Sequence, residues 1–222
     1  MQNIELLYLS QEDVIATGMT MEASIAAVED ALREHGLGET ENPPKPGIHP
    51  QRAFIHAMPG YLPRKKAAGL KWVSSFSGNT ALGIPSVMGL LILNDTQTGQ
   101  PLAVMDCGWI TAMRTGAVSP VAAKYLAPKD SRVVGIVGAG IQGRYNLLAL
   151  HAAMPAFETV RVFDINPHRF QPRSGDRGCR HGHGDLCPSA NPRVGHASAS
   201  DGAGTSLCLT PEAKLRPKPD WQ

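Results

Sequence analysis

Aromatic residues are scarce in this 222-residue chain, at 5%, and charged residues reach only 18%. Lys and Arg outnumber Asp and Glu by 21 to 19. No field of one sign therefore draws the chain to nucleic acid or to an anionic membrane surface. Long apolar runs are also missing, and none approaches the roughly 18–20 residues that a membrane-spanning helix needs. The first residues, Met1 to Ser10, lack a basic stretch followed by a long apolar core, so the sequence predicts no secretory leader and a cytoplasmic location. Cysteine is rare, at four residues, and three of them fall in the last 52 positions, where without a secretory leader they suggest free thiols rather than a disulfide framework.

Turn formers are plentiful, with Gly 23 and Pro 18, but composition breaks near Phe170. Residues 171–222 contain no Ile, Met, Phe or Tyr, and only Val194, Leu186, Leu207, Leu209 and Leu215 represent the aliphatic core formers. That is far below the roughly 20% under which a segment is expected to form no packed core. The segment shows neither helical nor strand periodicity. It reads as a disordered tail or as the product of a frameshift near residue 170. Cys179, His181, His183, Cys187 and Cys208 have the ligand types of a zinc site, but their spacing matches no standard finger, and no metal is assigned.

Before the break the chain reads as an α/β protein. Glu5–Ser10 suggests a short strand that ends in a helix cap, Ser10 with Asp13, and Thr20 caps a longer helix. Ile25, Val28 and Leu32 form the apolar stripe of that helix. Residues 39–50 hold Pro43, Pro44, Pro46 and Pro50 and must be extended. Four strand-like runs follow, over 53–58, 68–76, 87–94 and 101–106. The turn Asp95-Thr-Gln-Thr-Gly99 joins the last two as an antiparallel hairpin. A helix over 109–126 contains Pro120, which should kink or split it. A buried-looking strand over 132–137, a helix over 141–153 and a strand over 159–164 complete the pattern.

Val133–Val137 runs directly into Gly138-Ala-Gly140-Ile-Gln-Gly143, and Asp164 follows at the end of the next strand. A G-x-G-x-x-G between strand and helix, with an acid about 20 residues on, is the pattern of a dinucleotide-binding turn. Gly138 allows the tight turn, Gly140 lets a pyrophosphate approach the backbone, and Gly143 permits close helix packing. The helix start, with Ile141 and Gln142, supplies unpaired N–H donors. Asp164 suits ribose hydroxyls and repels a 2′-phosphate, so the sequence predicts NAD rather than NADP.

Two cations also stand out. Lys71 sits within an apolar strand, where partial burial demands an anion nearby, either a substrate carboxylate or a protein acid. Arg114, early in a helix, suits a bidentate carboxylate clamp. From spacing alone, each fits a surface ion pair as readily.

His56-Ala-Met-Pro-Gly-Tyr-Leu-Pro63, Gly69-Leu-Lys-Trp-Val-Ser-Ser-Phe76, Leu93-Asn-Asp95, Thr98–Asp106, Thr111-Ala-Met-Arg-Thr115 and Gly138–Gln142 occur in order. Together they resemble the ornithine cyclodeaminase/mu-crystallin family over residues 1–170. The resemblance implies a homodimer with three segments per chain. Residues 1–130 would form a mixed-sheet substrate and dimerisation domain, 131–170 the first part of an incomplete Rossmann (doubly wound) dinucleotide-binding domain, and 171–222 the unmatched tail. It implies a bound NAD and a small amino-acid or cyclic imine substrate. The activity it implies first is conversion of ornithine to proline and ammonia through an imine. The alternatives are reduction of a cyclic ketimine such as pyrroline carboxylate, alanine dehydrogenation, or a dimeric binding protein without turnover.

By motif match Lys71 and Arg114 would hold the substrate carboxylate, with Lys45 a weaker third partner. Thr115, Gly138, Gly140, Ile141, Gln142 and Gly143 would line the cofactor phosphates, and Asp164 the ribose. His56 is read first as a structural histidine, with a pocket-facing position as the alternative. The family's late aspartate and second mononucleotide half find no match here, so weak cofactor binding and little turnover are expected.

Overall fold

The computed structural model describes residues 5–154 and 156–165, together with the backbone of 197–199 and 205–208. The chain divides between Arg114 and Thr115 into two compact units.

The first unit is built on a mixed sheet of six strands in the order β1-β6-β5-β4-β3-β2. Its strands are β1 (Leu7–Leu9), β2 (Gly47–Ile48), β3 (Phe54–Leu62), β4 (Ala67–Ser75), β5 (Val87–Asn94) and β6 (Pro101–Asp106). Strand β1 runs parallel to β6, and the other pairings are antiparallel. The expected hairpin closes at Asp95, whose carboxylate accepts from the Thr98 N–H at 2.7 Å. The proline-rich segment leaves room only for the two-residue β2, because proline withholds the N–H that a longer ladder needs.

Two helices lie between β1 and β2: α1 (Gln11–Ala16) and α2 (Met21–Gly36). Ser10 and Asp13 form a reciprocal capping box, and the Thr20 hydroxyl accepts from the Ala23 N–H. The buried face of α2 differs from the stripe expected. Met21, Ser24 and Glu34 are buried, whereas Leu32 is 45% exposed. Polar anchoring to the β3–β4 turn explains the difference. The Glu34 carboxylate accepts the Arg64 N–H at 2.7 Å, and Asp30 pairs with Lys65 at 2.6 Å. Apolar periodicity cannot show a face that is partly defined by a carboxylate.

Strand register sorts the sheet's side chains into two faces, since neighbours alternate. Lys71 shares one face with its partners Met58 and Leu91 and with the buried Val73. The opposite face carries Trp72, Leu90 and Tyr8, which are 43%, 39% and 68% exposed.

Helix α3 (Gly108–Leu126) continues from the first unit into the second. Pro120 lies inside it without splitting it. One backbone bond is lost, and the fully buried ring restores packing in its place. The second unit continues with β7 (Val133–Val137), α4 (Ile141–Ala153) and β8 (Thr159–Phe163). Strands β7 and β8 are parallel, as a β-α-β unit requires. On one face Ala139, Phe157, Val160 and Val162 form a buried cluster with Val134, Ile136, Leu147, Leu150 and Met154 packed against it. The other face is open: Val133, Val137 and Phe163 are 52%, 87% and 50% exposed. The expectation of a buried β7 is thus corrected to a strand covered on one face only.

Within residues 171–222 the structure places two short strands that the sequence did not foreshadow, β9 (Ala197–Ala199) and β10 (Thr205–Cys208). Strand β10 pairs antiparallel with β8 and with β9. A free strand edge presents N–H and C=O groups that any backbone can meet without a side-chain pattern. The rest of 171–222, with the disordered or frameshifted reading and the Cys/His cluster, lies outside the described residues. Among the described residues no helix is long and apolar enough to cross a membrane.

Candidate functional site

In the first unit, Lys71 stands at the middle of β4 and is half-buried. Burial pushes its ammonium down to about 8; Arg114 and Lys45 add to the fall, and the Cys107 thiol opposes it. Cys107 is fully buried and immediately precedes α3. Its carbonyl accepts from the Thr111 N–H at 2.8 Å, and its own N–H donates to the Gly89 carbonyl at 3.0 Å. These bonds fix the start of α3 on the sheet. Arg114 follows two turns into the helix, where partial burial lowers its guanidinium and the Cys107 thiol again opposes. Burial in turn raises the Cys107 thiol.

The structure thus brings Lys45, Lys71 and Arg114 into one electrostatic neighbourhood. The anion that Lys71 demands is not found among the described residues, where no carboxylate pairs with Lys71 or Arg114. Positive groups gathered on half-buried ground, with no carboxylate paired to them among the described residues, suit a small carboxylate. Sequence reasoning did not find Cys107, because a lone cysteine has no spacing to read.

The second unit holds the glycine-rich turn. Gly138 adopts φ +100°, a conformation that side-chain-bearing residues rarely reach, and its N–H donates to the Phe163 carbonyl at 2.7 Å. A Cβ on Gly143 would collide with the Gly138 carbonyl oxygen, so only glycine lets α4 start this close to the loop. Gly140 is the N-cap of α4 and provides no side-chain cap. The N–H groups of Ile141, Gln142 and Gly143 precede the first intrahelical donor, which is Arg144 bonding to the Gly140 carbonyl. The Asp164 carboxylate accepts from the Ala139 N–H at 2.7 Å.

Thr115 opens this unit's share of α3, and its hydroxyl is buried without a hydrogen-bond partner. Its neighbour Gly116 packs so closely on α4 that a Cβ there would lie 2.6 Å from the Tyr145 carbonyl oxygen. A left-handed glycine, an uncapped helix start, an acid at the next strand end and an orphaned buried hydroxyl are features that fit a dinucleotide. No cluster of three metal-ligating side chains occurs among the described residues.

Comparison with known proteins is consistent with both arrangements. The model of the ornithine cyclodeaminase/mu-crystallin family matches residues 6–173. The nodulation efficiency protein NfeD of Rhizobium meliloti is 48% identical over 160 residues, covering 72% of this chain and 50% of that protein. Alanine dehydrogenase of Archaeoglobus fulgidus is 38% identical over 221 residues, covering 98% of this chain and 64% of that enzyme. The Δ1-pyrroline-2-carboxylate reductase of Thermococcus litoralis, solved with NADH and L-proline, superposes with a TM-score of 0.69 at 43% identity, over 73% of this chain and 50% of that one. The chain therefore spans about half to two thirds of the length of these relatives. With the ordered motifs, the mixed sheet and the glycine-rich turn accounted for together, the chain belongs to the ornithine cyclodeaminase/mu-crystallin family.

Proposed function

We propose that this chain carries the machinery of an NAD-dependent enzyme acting on the α-carbon of a small amino acid or of its imine. The observation that carries the reading is the gathering of Lys71, Arg114 and Lys45 with no carboxylate paired to Lys71 or Arg114 among the described residues. Lys71 and Arg114 hold the substrate carboxylate and Lys45 adds positive potential. The Gly138–Gly143 turn, Ile141 and Gln142 take the pyrophosphate on free N–H groups, assisted by the Thr115 hydroxyl, and Asp164 takes the ribose hydroxyls. When bound, NAD exchanges a hydride with the substrate α-carbon. Family resemblance ranks ornithine cyclisation first, while the similarity to an alanine dehydrogenase and a pyrroline-carboxylate reductase supports the dehydrogenase and reductase alternatives. The open sheet face around Trp72, Leu90 and Tyr8 serves dimerisation.

A second reading, a dimeric binding protein without turnover, is favoured by the uncovered face of β7 and β8 at Val137 and Phe163. NADH fluorescence titration of the full chain, followed by assay with pyrroline carboxylate, pyruvate plus ammonia, and ornithine, separates the two. Micromolar binding with turnover supports the enzyme. Carboxylate binding without NADH binding or turnover supports the second reading, and the absence of both defeats each of them.

A further inference from the structure

Thr111 carries a hydroxyl that the fold leaves without a use. A helical threonine ordinarily satisfies its hydroxyl on a carbonyl three or four residues back. Thr17 does so, donating to the Val14 carbonyl at 2.8 Å. The corresponding carbonyl for Thr111 is that of Cys107, which already accepts the Thr111 N–H at 2.8 Å. The Thr111 hydroxyl does not use it: it is buried and makes no hydrogen bond among the described residues. The Cys107 thiol interacts with it, but sulfur is a weak hydrogen-bonding group, and no bond of normal length and angle joins the two. A buried hydroxyl in this state costs folding free energy and calls for a partner.

Its position ties it to the cations. Thr111 lies one turn before Arg114 on α3, and residues three apart are neighbours on a helix surface. Cys107, one turn earlier on the same stripe, is fully buried and donates its N–H to the Gly89 carbonyl at 3.0 Å. Gly89 pairs with Val73, which shares the Lys71 face of β4. Cys107 acts electrostatically on both Lys71 and Arg114. Along α3 the orphaned hydroxyl therefore stands between the thiol and the guanidinium. A bidentate guanidinium and one ammonium hydrogen fill three of the roughly four lone-pair sites of a carboxylate. A hydroxyl donor suits the fourth.

We propose that the Thr111 hydroxyl is a binding group of the carboxylate site, donating to the lone pair that Lys71 and Arg114 leave open. This deepens the carboxylate reading above and rests on it. The site then demands a free carboxylate and discriminates against an ester at that end, which lacks the charge and the second equivalent oxygen. The hydroxyl is held ready in the empty protein at a cost in stability, and the ligand relieves that cost.

Titration calorimetry of the full chain with pyruvate and with L-proline, in the presence of NADH, tests the proposal beside thermal melts without either probe. Thr111→Val keeps the shape of the side chain but removes the donor. It should weaken the probe that wild type binds about tenfold, and it should raise Tm, because the hydroxyl it removes has no partner to lose. Thr111→Ser keeps the hydroxyl and should retain most of the affinity. A hydroxyl that only supports the fold gives the opposite pair of results. Unchanged affinity in Thr111→Val, a lowered Tm, or failure of that variant to fold each overturns the inference alone. If wild type binds neither probe, the carboxylate reading falls and takes the inference with it.

Discussion

The Ala139 N–H donates to the Asp164 carboxylate at 2.7 Å, tying the glycine-rich turn after β7 to the end of β8. The acid that the sequence pattern assigns to a ribose therefore also braces the loop that would receive the phosphates. Asp164→Ser is expected to weaken NADH binding and to raise the affinity for NADPH relative to NADH by about tenfold, because the repulsion of a 2′-phosphate is removed. Parallel fluorescence titrations with the two nucleotides check this; an unchanged ratio would show that Asp164 only braces the loop.

Lys71 yields a pH prediction. Its folded value of about 8 lies below the ordinary 10.5, so between these pH values the unfolded chain binds more protons than the folded one. Stability contributed through this group therefore rises with pH across that window and is lowest below it. Lys71→Met should raise Tm at pH 7 and flatten the pH dependence between about 8 and 10.5. Carboxylate binding should fall as pH rises through about 8, since deprotonated Lys71 offers no charge. Thermal melts and titrations at pH 7 and 9 measure both effects.

Gly116 allows α3 to meet α4 at the Tyr145 carbonyl. Gly116→Ala is expected to destabilise the second unit by about 1–3 kcal/mol, since a rigid backbone atom has to move. Urea denaturation gives the value, and a cost near zero would mean that the helices separate freely at this point.

Trp72 and Leu90 are paired across β4 and β5 on the open sheet face. Leu90→Lys should convert a dimer into a monomer in sedimentation velocity, with circular dichroism unchanged. Retention of the dimer would move the interface to another surface.

Much of this architecture is legible locally. The caps at Ser10 and Thr20, the β5–β6 hairpin and the β7-α4-β8 turn follow from short-range chemistry: side chains that reach their own backbone, and glycines at a tight bend. The cations were visible as residue types, but not as a group. Strand β4 carries Lys71, α3 carries Arg114 and the segment before β2 carries Lys45, so their meeting depends on sheet register and on where α3 begins. The buried face of α2 was misread because Glu34 is held by a backbone N–H from Arg64, thirty positions away.

The family motifs, the order of strands and helices apart from β2, β9 and β10, and the dinucleotide turn could be read from the residues alone, since each motif, cap and turn is local. The pairing of distant segments settled that no carboxylate among the described residues pairs with Lys71 or Arg114, that His56 shares the Lys71 face of the sheet, and that β7 is covered on one side. Those properties come from long-range pairing and from which neighbours desolvate a group, and neither is written in the spacing of the residues concerned.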